Sequence, residues 1–117
     1  MFRDMNASRR PSLLFVFADQ WRGSDLGCAG NADVRTPWLD RFAAEGVRFT
    51  QAIANNPVCG PSRASLLTGL FPPASGVPGN DLPLRLGLPT FGTVARAAGC
   101  RAAYIGKWHL DGVPRDK

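Results

Sequence analysis

The sequence has little of what a fold held by metals or disulfides needs. Its three cysteines, Cys28, Cys59 and Cys100, lie far apart with no CxxC pair, and His109 is the single histidine. A disulfide framework or a structural zinc site is therefore not expected. No apolar run approaches the roughly 20 residues that a membrane helix requires. The apolar stretch after the basic first 10 residues is too short for a signal peptide, so we expect a cytoplasmic protein that binds no membrane.

The composition is that of an ordinary soluble globular protein. Of the 117 residues, 44% are hydrophobic and 20% are charged, which excludes a chain that is disordered throughout. Fourteen basic and nine acidic residues give a formal charge of +5, which can attract nucleic acid, anionic lipid or a small oxyanion. The basic residues are scattered and are not interleaved with aromatic residues, so we do not expect nucleic-acid binding.

Three short runs have the character of β-strands. Residues 12–18 (SLLFVFA) form a continuous apolar run typical of a strand in a parallel sheet, and residues 101–105 resemble another buried strand. Residues 47–53 alternate apolar and polar side chains, as an edge strand would. Polar side chains follow the two buried runs, at residues 19–20 and 107–109. Open α/β sheets bind their ligands at such carboxyl ends.

Three helices are predicted between and after these runs. The first covers residues 36–46, where a threonine cap and a proline begin the helix and a glycine ends it. The second covers residues 61–69, which puts Cys59 just before its N-terminus. The third covers residues 90–98, and residues 71–89 form a long loop rich in proline and glycine. Alternating strands and helices predict an α/β sandwich.

Several motifs, in order, resemble the sulfatase family. Residues 59–69 (CGPSRASLLTG) are similar to the family's signature. They are joined by FVFADQ at 15–20, TPWLD at 36–40, EGVRFT at 45–50 and GKWHL at 106–110. The resemblance covers nearly the whole chain from Pro11 and matches the N-terminal part of a catalytic domain that is several times longer.

The resemblance implies an alkaline-phosphatase-like α/β sandwich. Residues 1–10 would be a polar N-terminal tail. Residues 11–117 would be an incomplete catalytic domain, with the N-terminal portion of the central sheet and its helices. The family's later metal ligands and its later histidine and lysine have no counterpart in these 117 residues. We therefore expect little or no activity from this chain alone.

The implied activity is that of a sulfuric ester hydrolase acting on a small-molecule sulfate ester. A formylglycine-generating enzyme would oxidise Cys59 to formylglycine, whose hydrated aldehyde attacks sulfur with one hydroxyl and expels sulfate with the other. A thiol or serine could attack but could not release the bound sulfate by reforming an aldehyde. The start of a helix also suits an anion, because free backbone N–H groups and the helix dipole favour negative charge.

The resemblance also implies a divalent metal, calcium in the first place, with magnesium or manganese as alternatives. Its ligands would be Asp19, Gln20 and the modified Cys59. Hard oxygen ligands suit such a cation. Gln20 departs from the Asp-Asp pair of many sulfatases, and an Asp-Gln pair is found in branches resembling choline sulfatase and the phosphonate monoester hydrolases.

Further roles follow from the same resemblance. Arg63 would steady the formylglycine diol, Lys107 would bind a sulfate oxygen, and His109 would hydrogen-bond the diol and help to deprotonate it. Lys107 and His109 are two residues apart, so on an extended segment they point to the same side. A cation in the first helical turn, such as Arg63, opposes the helix dipole and calls for an anion nearby. Asn80 is predicted to bind substrate together with Lys107, and Asp81 is a second candidate in that loop.

Other interpretations stay open at the level of sequence. The same apparatus supports phosphonate monoester or phosphodiester hydrolysis, and the chain could also be a non-catalytic truncated remnant or a basic module that binds polyanions. Taken alone, a cysteine is more often a small buried hydrophobe, as we predict for Cys28 and Cys100. Trp108 is predicted to pack in the core. The oligomeric state does not follow from the sequence.

Overall fold

The computed structural model describes residues 12–112, so the predicted tail at residues 1–10 lies outside the described residues. Within that range the chain forms helices joined by long irregular segments. They are α1 (Pro37–Glu45), α2 (Cys59–Thr68), α3 (Pro72–Ser75) and α4 (Phe91–Ala97), with a 3₁₀ turn at Gly27–Ala29 before α1. No helix among these residues is long and apolar enough to cross a bilayer.

Helix α1 starts at the predicted proline, but its N-terminal threonine has a different role from the one expected. The hydroxyl of Thr36 makes no capping bond to the helix backbone. It accepts a hydrogen bond from the N–H of Gly27 at 2.8 Å and donates one to Asp40 Oδ1 at 2.9 Å. The same carboxylate oxygen accepts the N–H of Cys28 at 2.7 Å. Thr36 and Asp40 therefore fasten the 3₁₀ turn to α1.

Helix α2 begins two residues earlier than the sequence predicts, so Cys59 is its first residue and does not precede it. Val58, the residue before the helix, is extended (φ −120°, ψ 145°). Pro61 is the third helical residue. Proline is tolerated at this position because a backbone N–H there would have no acceptor within the helix. The predicted stop at Gly69 is confirmed: its φ is 72° and its N–H bonds to Ser65 O at 2.8 Å.

Helix α4 is confirmed by its cap. The N–H of Thr93 donates to Thr90 Oγ1 at 3.2 Å, and the N–H of Thr90 donates to Thr93 Oγ1 at 2.8 Å. This reciprocal pair satisfies two backbone donors that the first turn would otherwise leave free. The predicted loop at 71–89 contains the short helix α3, which starts at a proline and ends at Gly76 with a φ of 84°.

The core of the described residues is small and lies around α2. Its buried hydrophobic members are Ala64, Leu67, Val77 and Leu110, and the partly buried Leu84 and Trp108 pack against them. Trp108 therefore packs as predicted. Cys28 is half-buried, whereas Cys100 is exposed, so the prediction of a buried Cys100 is wrong. Cys100 lies three residues after the end of α4, outside this core.

None of the three predicted strands forms a ladder among residues 12–112. The described pairing is one isolated antiparallel bridge between Pro83 and Asp111. Residues 14–17 and 103–105 instead line one open cleft of about 400 Å³. Leu14 and Ile105 are 85% and 94% exposed. Apolar and β-branched residues favour a strand. A β-ladder also needs backbone hydrogen bonds to a neighbouring strand, and these two segments form no such bonds with each other.

Candidate active site

Arg63 is the residue around which the candidate site is organised. It lies in the first turns of α2, and its side chain is 6% exposed. Nη2 donates to Asp19 Oδ1 at 3.0 Å, while Nη1 donates to the Lys107 carbonyl at 2.6 Å and to the Tyr104 hydroxyl at 3.1 Å. The guanidinium carbon lies 5.0 Å from the centroid of the Phe17 ring. The Arg63 side chain thus joins α2 to both apolar segments. Asp19 supplies the nearby anion that the sequence predicts for Arg63.

The carboxylate of Asp19 lies between two cations. Its Oδ2 accepts a hydrogen bond from Lys107 Nζ at 2.9 Å, and its Oδ1 accepts the bond from Arg63. Hydrogen bonds from Lys107 and then from Arg63 hold the pKa of Asp19 below its ordinary value. The same bond to Asp19 raises the pKa of Lys107, and Cys59 contributes to that rise. At neutral pH the pair is therefore fully charged.

Cys59 lies on the same side of this cluster. It is a half-buried free thiol at the first position of α2, and its side chain is close enough to Lys107 to affect the ionisation of that amine. The structure therefore brings together four predicted site residues, namely Asp19, Cys59, Arg63 and Lys107. They combine a potential nucleophile, two cations and the positive end of a helix, which is the chemistry of an oxyanion site.

His109 has a different neighbour. Its Nε2 lies 3.5 Å from Asp81 Oδ1, and its Nδ1 is buried without a hydrogen-bond partner among the described residues. Its φ is 58°, so the extended course assumed for residues 107–109 ends there. The alternation rule that put Lys107 and His109 on one side does not apply to this backbone. The Lys107 amine binds Asp19, while the imidazole faces Asp81.

Asn80 acts on the start of α2. Its Oδ1 accepts the N–H of Gly60 at 2.8 Å, so a side chain from the loop satisfies a backbone donor that the helix leaves free. A Cβ on Gly60 would lie 3.2 Å from that oxygen and 3.3 Å from the carbonyl of Gly79, which explains a glycine at this position. The contact fixes the backbone next to Cys59. Substrate binding by Asn80 stays a prediction.

Three non-glycine residues of the described range have a positive φ, namely Gln20 (52°), Asp81 (62°) and His109 (58°). Such conformations cost on the order of 1–3 kcal/mol each and are concentrated at functional sites. Two of the three were singled out from the sequence as a metal ligand and a catalytic residue. The third, Asp81, is the residue that faces His109.

Sequence reasoning gave no role to Tyr104 or Phe17. The Tyr104 hydroxyl accepts from Arg63 and donates to the Lys107 carbonyl. Phe17 provides the ring beneath the guanidinium. Both lie in apolar runs that predict burial in a sheet, and the pattern carries no signal that they contact an arginine 41 or 46 residues away.

The described residues offer the right type of ligand atom for a divalent cation, but only a few of them. Asp19 and Gln20 offer hard oxygen atoms, which suit calcium or magnesium. Calcium takes about six to eight oxygens, and no group of three histidine, cysteine, aspartate or glutamate residues that could hold a metal occurs in the described part of the chain. Both Asp19 oxygens also bond to cations here. These residues can supply part of a metal site, not a complete one.

The chain belongs to the sulfatase family. The family model described as Sulfatase matches residues 11–117. Among similar proteins, the ulvan-active sulfatase of Formosa agariphila is 48% identical over 103 residues, covering 88% of this chain and 20% of that protein. The steryl-sulfatase of Mus musculus is 44% identical over 118 residues, covering 89% of this chain and 18% of that protein.

A solved structure supports the same fold. The crystal structure of yidJ from Bacteroides fragilis, assigned to the sulfatases, superposes with a TM-score of 0.83 at 39% identity. The match covers 92% of this chain and 26% of that one. The neighbour is a sulfatase of the alkaline-phosphatase-like fold, in agreement with the predicted class. The chain spans about a fifth of the length of the curated relatives it matches.

Proposed function

We propose that the protein carrying this chain hydrolyses sulfate esters. The observation that carries the proposal is Cys59 at the first position of α2, beside the Lys107 amine, in a chain of the sulfatase family. The names of the two relatives reported above refer to different alcohol components, ulvan and a sterol, and share only the sulfatase activity. The proposal for this chain therefore covers only hydrolysis of the sulfate ester and leaves the alcohol component open.

In this proposal Cys59 is converted by a formylglycine-generating enzyme, and the chain binds a divalent cation with Asp19 and Gln20. The formylglycine supplies the attacking hydroxyl and the route to sulfate release, and the metal supplies charge stabilisation at the sulfate oxygens. A thiol at Cys59 is the starting material for that oxidation. The positive end of the α2 dipole favours the negative charge of a sulfate bound at Cys59, the first residue of the helix.

The remaining residues act on charge and on protons. Lys107 binds a sulfate oxygen and offsets the charge that develops as the ester bond breaks. Arg63, held by four partners, keeps Asp19 and the Lys107 backbone in place around the nucleophile. His109 accepts a proton from the hydroxyl at position 59 when sulfate leaves.

Two measurements on the protein from its natural source test the proposal. Mass analysis of the peptide spanning Val58 to Arg63 is expected to show an aldehyde at Cys59. Hydrolysis of an aryl sulfate is expected to exceed hydrolysis of the matching aryl phosphate diester and phosphonate monoester, and Cys59→Ala is expected to abolish it. Preferential turnover of the phosphorus esters would instead assign the protein to that branch. An unmodified thiol with no turnover would indicate a non-catalytic chain.

A further inference from the structure

We propose that Asp81 is a positioning residue for His109. Its carboxylate would hold the Nε2–H of the imidazole and so leave the Nδ1 lone pair as the proton acceptor. This inference rests on the proposed function, in which His109 takes a proton from the hydroxyl at position 59. It assigns a role to a residue of the 71–89 loop that the site chemistry described above does not use.

The first support is the contact itself. Asp81 Oδ1 lies 3.5 Å from Nε2, while Nδ1 is buried and has no partner among the residues the structure describes. A neutral imidazole carries one N–H and one lone pair, and the group that one nitrogen contacts decides which nitrogen keeps the proton. A carboxylate accepts but cannot donate, so it selects the Nε2–H form. The distance is long for a hydrogen bond, as catalytic contacts often are before substrate binds.

The second support is the backbone. Asp81 and His109 both have left-handed φ values, 62° and 58°, and their side chains face each other. The segments that carry them are tied together, because the N–H of Leu84 donates to Leu110 O at 3.0 Å and Pro83 forms a bridge with Asp111. An unfavourable conformation on each side of one contact persists only when the surrounding structure fixes it.

The third support is the residue before Asp81. Asn80 bonds to the N–H of Gly60, directly after Cys59. Two consecutive residues of one loop therefore reach the helix that carries the nucleophile and the imidazole that would deprotonate it. Residues 80–81 thus contact both the helix that carries position 59 and the imidazole of His109, and so fix the base relative to the nucleophile.

The protons in this step balance without a further reactant. Nδ1 accepts the hydroxyl proton, Nε2 keeps its own, and the imidazolium that forms is paired with the Asp81 carboxylate. Asp81 is not protonated in the step. The imidazolium then loses the Nδ1 proton to water, and the starting tautomer is restored.

The test uses the fact that the chain has one histidine, so a ¹⁵N-histidine label reports on His109 alone. Long-range ¹H–¹⁵N spectra of the 117-residue chain at alkaline pH, recorded below the concentration at which the chain self-associates, identify the tautomer. We expect the wild type to show the Nε2–H form with a protected ring proton. Asp81→Asn, whose amide can donate to Nε2, is expected to shift the population toward the Nδ1–H form, and Asp81→Glu is expected to restore Nε2–H.

Asp111→Asn is the matched control, because it removes the same charge two residues from the imidazole. It is expected to leave the ring spectrum unchanged. A wild-type ring that interconverts between tautomers as freely as imidazole in water would overturn the proposal. The same holds if Asp81→Asn and Asp111→Asn give identical spectra.

A second readout uses the protein that carries this chain, as isolated from its natural source. Asp81→Asn is expected to lower kcat for an aryl sulfate by about 10- to 100-fold with KM nearly unchanged, with partial recovery in Asp81→Glu. An unchanged kcat would overturn the positioning role even if the spectra agree. A wild type without turnover would refute the proposed function, whereas the spectra would still decide whether Asp81 controls the imidazole.

Discussion

Arg63 Nη2 and Asp19 Oδ1 lie 3.0 Å apart, although 44 residues separate them along the chain. The contact neutralises a buried cation in the second turn of α2 with a carboxylate from another segment. Lys107 adds a second cation on the other oxygen. The positive end of α2 therefore faces a compact set of alternating charges beside Cys59.

The first prediction concerns Arg63. Arg63→Ala is expected to lower the free energy of unfolding by about 2–3 kcal/mol, because it removes a buried side chain together with its hydrogen bonds to Asp19, the Lys107 carbonyl and the Tyr104 hydroxyl. Arg41→Ala is the control, since its exposed pair with Glu45 contributes less than about 0.5 kcal/mol. Urea unfolding followed by tryptophan fluorescence measures both. Equal effects of the two substitutions would contradict a structural role for Arg63.

The second prediction concerns two helical glycines. A methyl group on Gly60 would meet Asn80 Oδ1, the Gly79 carbonyl and Val77 Cγ1 at 3.2–3.4 Å. Gly60→Ala is expected to destabilise the chain by about 1 kcal/mol, because crowding exceeds the gain in helix propensity.

Gly92 in α4 is the matched position, where a methyl group would approach only Thr90 Oγ1, at 3.7 Å. Gly92→Ala is expected to stabilise the chain by about 0.5–1 kcal/mol. Thermal melts of the two variants should therefore move in opposite directions. A shift to higher temperature in both would mean that the loop does not press against the start of α2.

The third prediction concerns the Asn80 cap. Asn80→Ala is expected to cost about 1 kcal/mol, because the N–H of Gly60 loses its partner, while Asn80→Asp keeps an acceptor and most of the stability. Asn55→Ala, at an exposed site, is the control. Amide hydrogen exchange at Gly60 gives a direct readout. Exchange in Asn80→Ala that is no faster than in the control would rule out the cap.

The fourth prediction concerns the exposed apolar segments. We expect the 117-residue chain to self-associate in sedimentation velocity experiments. Ile105→Lys is expected to weaken association about tenfold, because it removes apolar surface at the cleft.

Leu86→Lys is the control for this measurement. Leu86 is 97% exposed and does not line the cleft, so it is expected to have little effect. A monodisperse wild-type monomer with a cooperative melt would contradict the prediction.

Local signals in the sequence predict local structure well. The reciprocal cap of Thr90 and Thr93, the proline at the start of α1 and the glycine after α2 each act within a few residues. The need for an anion near Arg63 was also readable, because it follows from the helix dipole. Which residue supplies that anion is a contact over 44 positions that no local pattern encodes.

The strands show the opposite case. The apolar runs at 12–18 and 101–105 have strand composition, but a strand is defined by its neighbour, and no ladder forms among the residues described. The left-handed backbone at His109 was equally hidden, because only a small fraction of non-glycine residues have a positive φ, even though histidine is enriched among them. Periodicity arguments across residues 107–109 fail for that reason.

Residues 14–17 and 103–105 line the same open cleft, together with Asp19, Arg63 and Lys107. Asp19, Arg63 and Lys107 join the carboxyl ends of the two segments to each other. These charged contacts fix the spacing of the two segments at their carboxyl ends. Because Asp19 supplies both of these hydrogen bonds from the first segment, its loss would weaken the link between the two segments at the carboxyl ends.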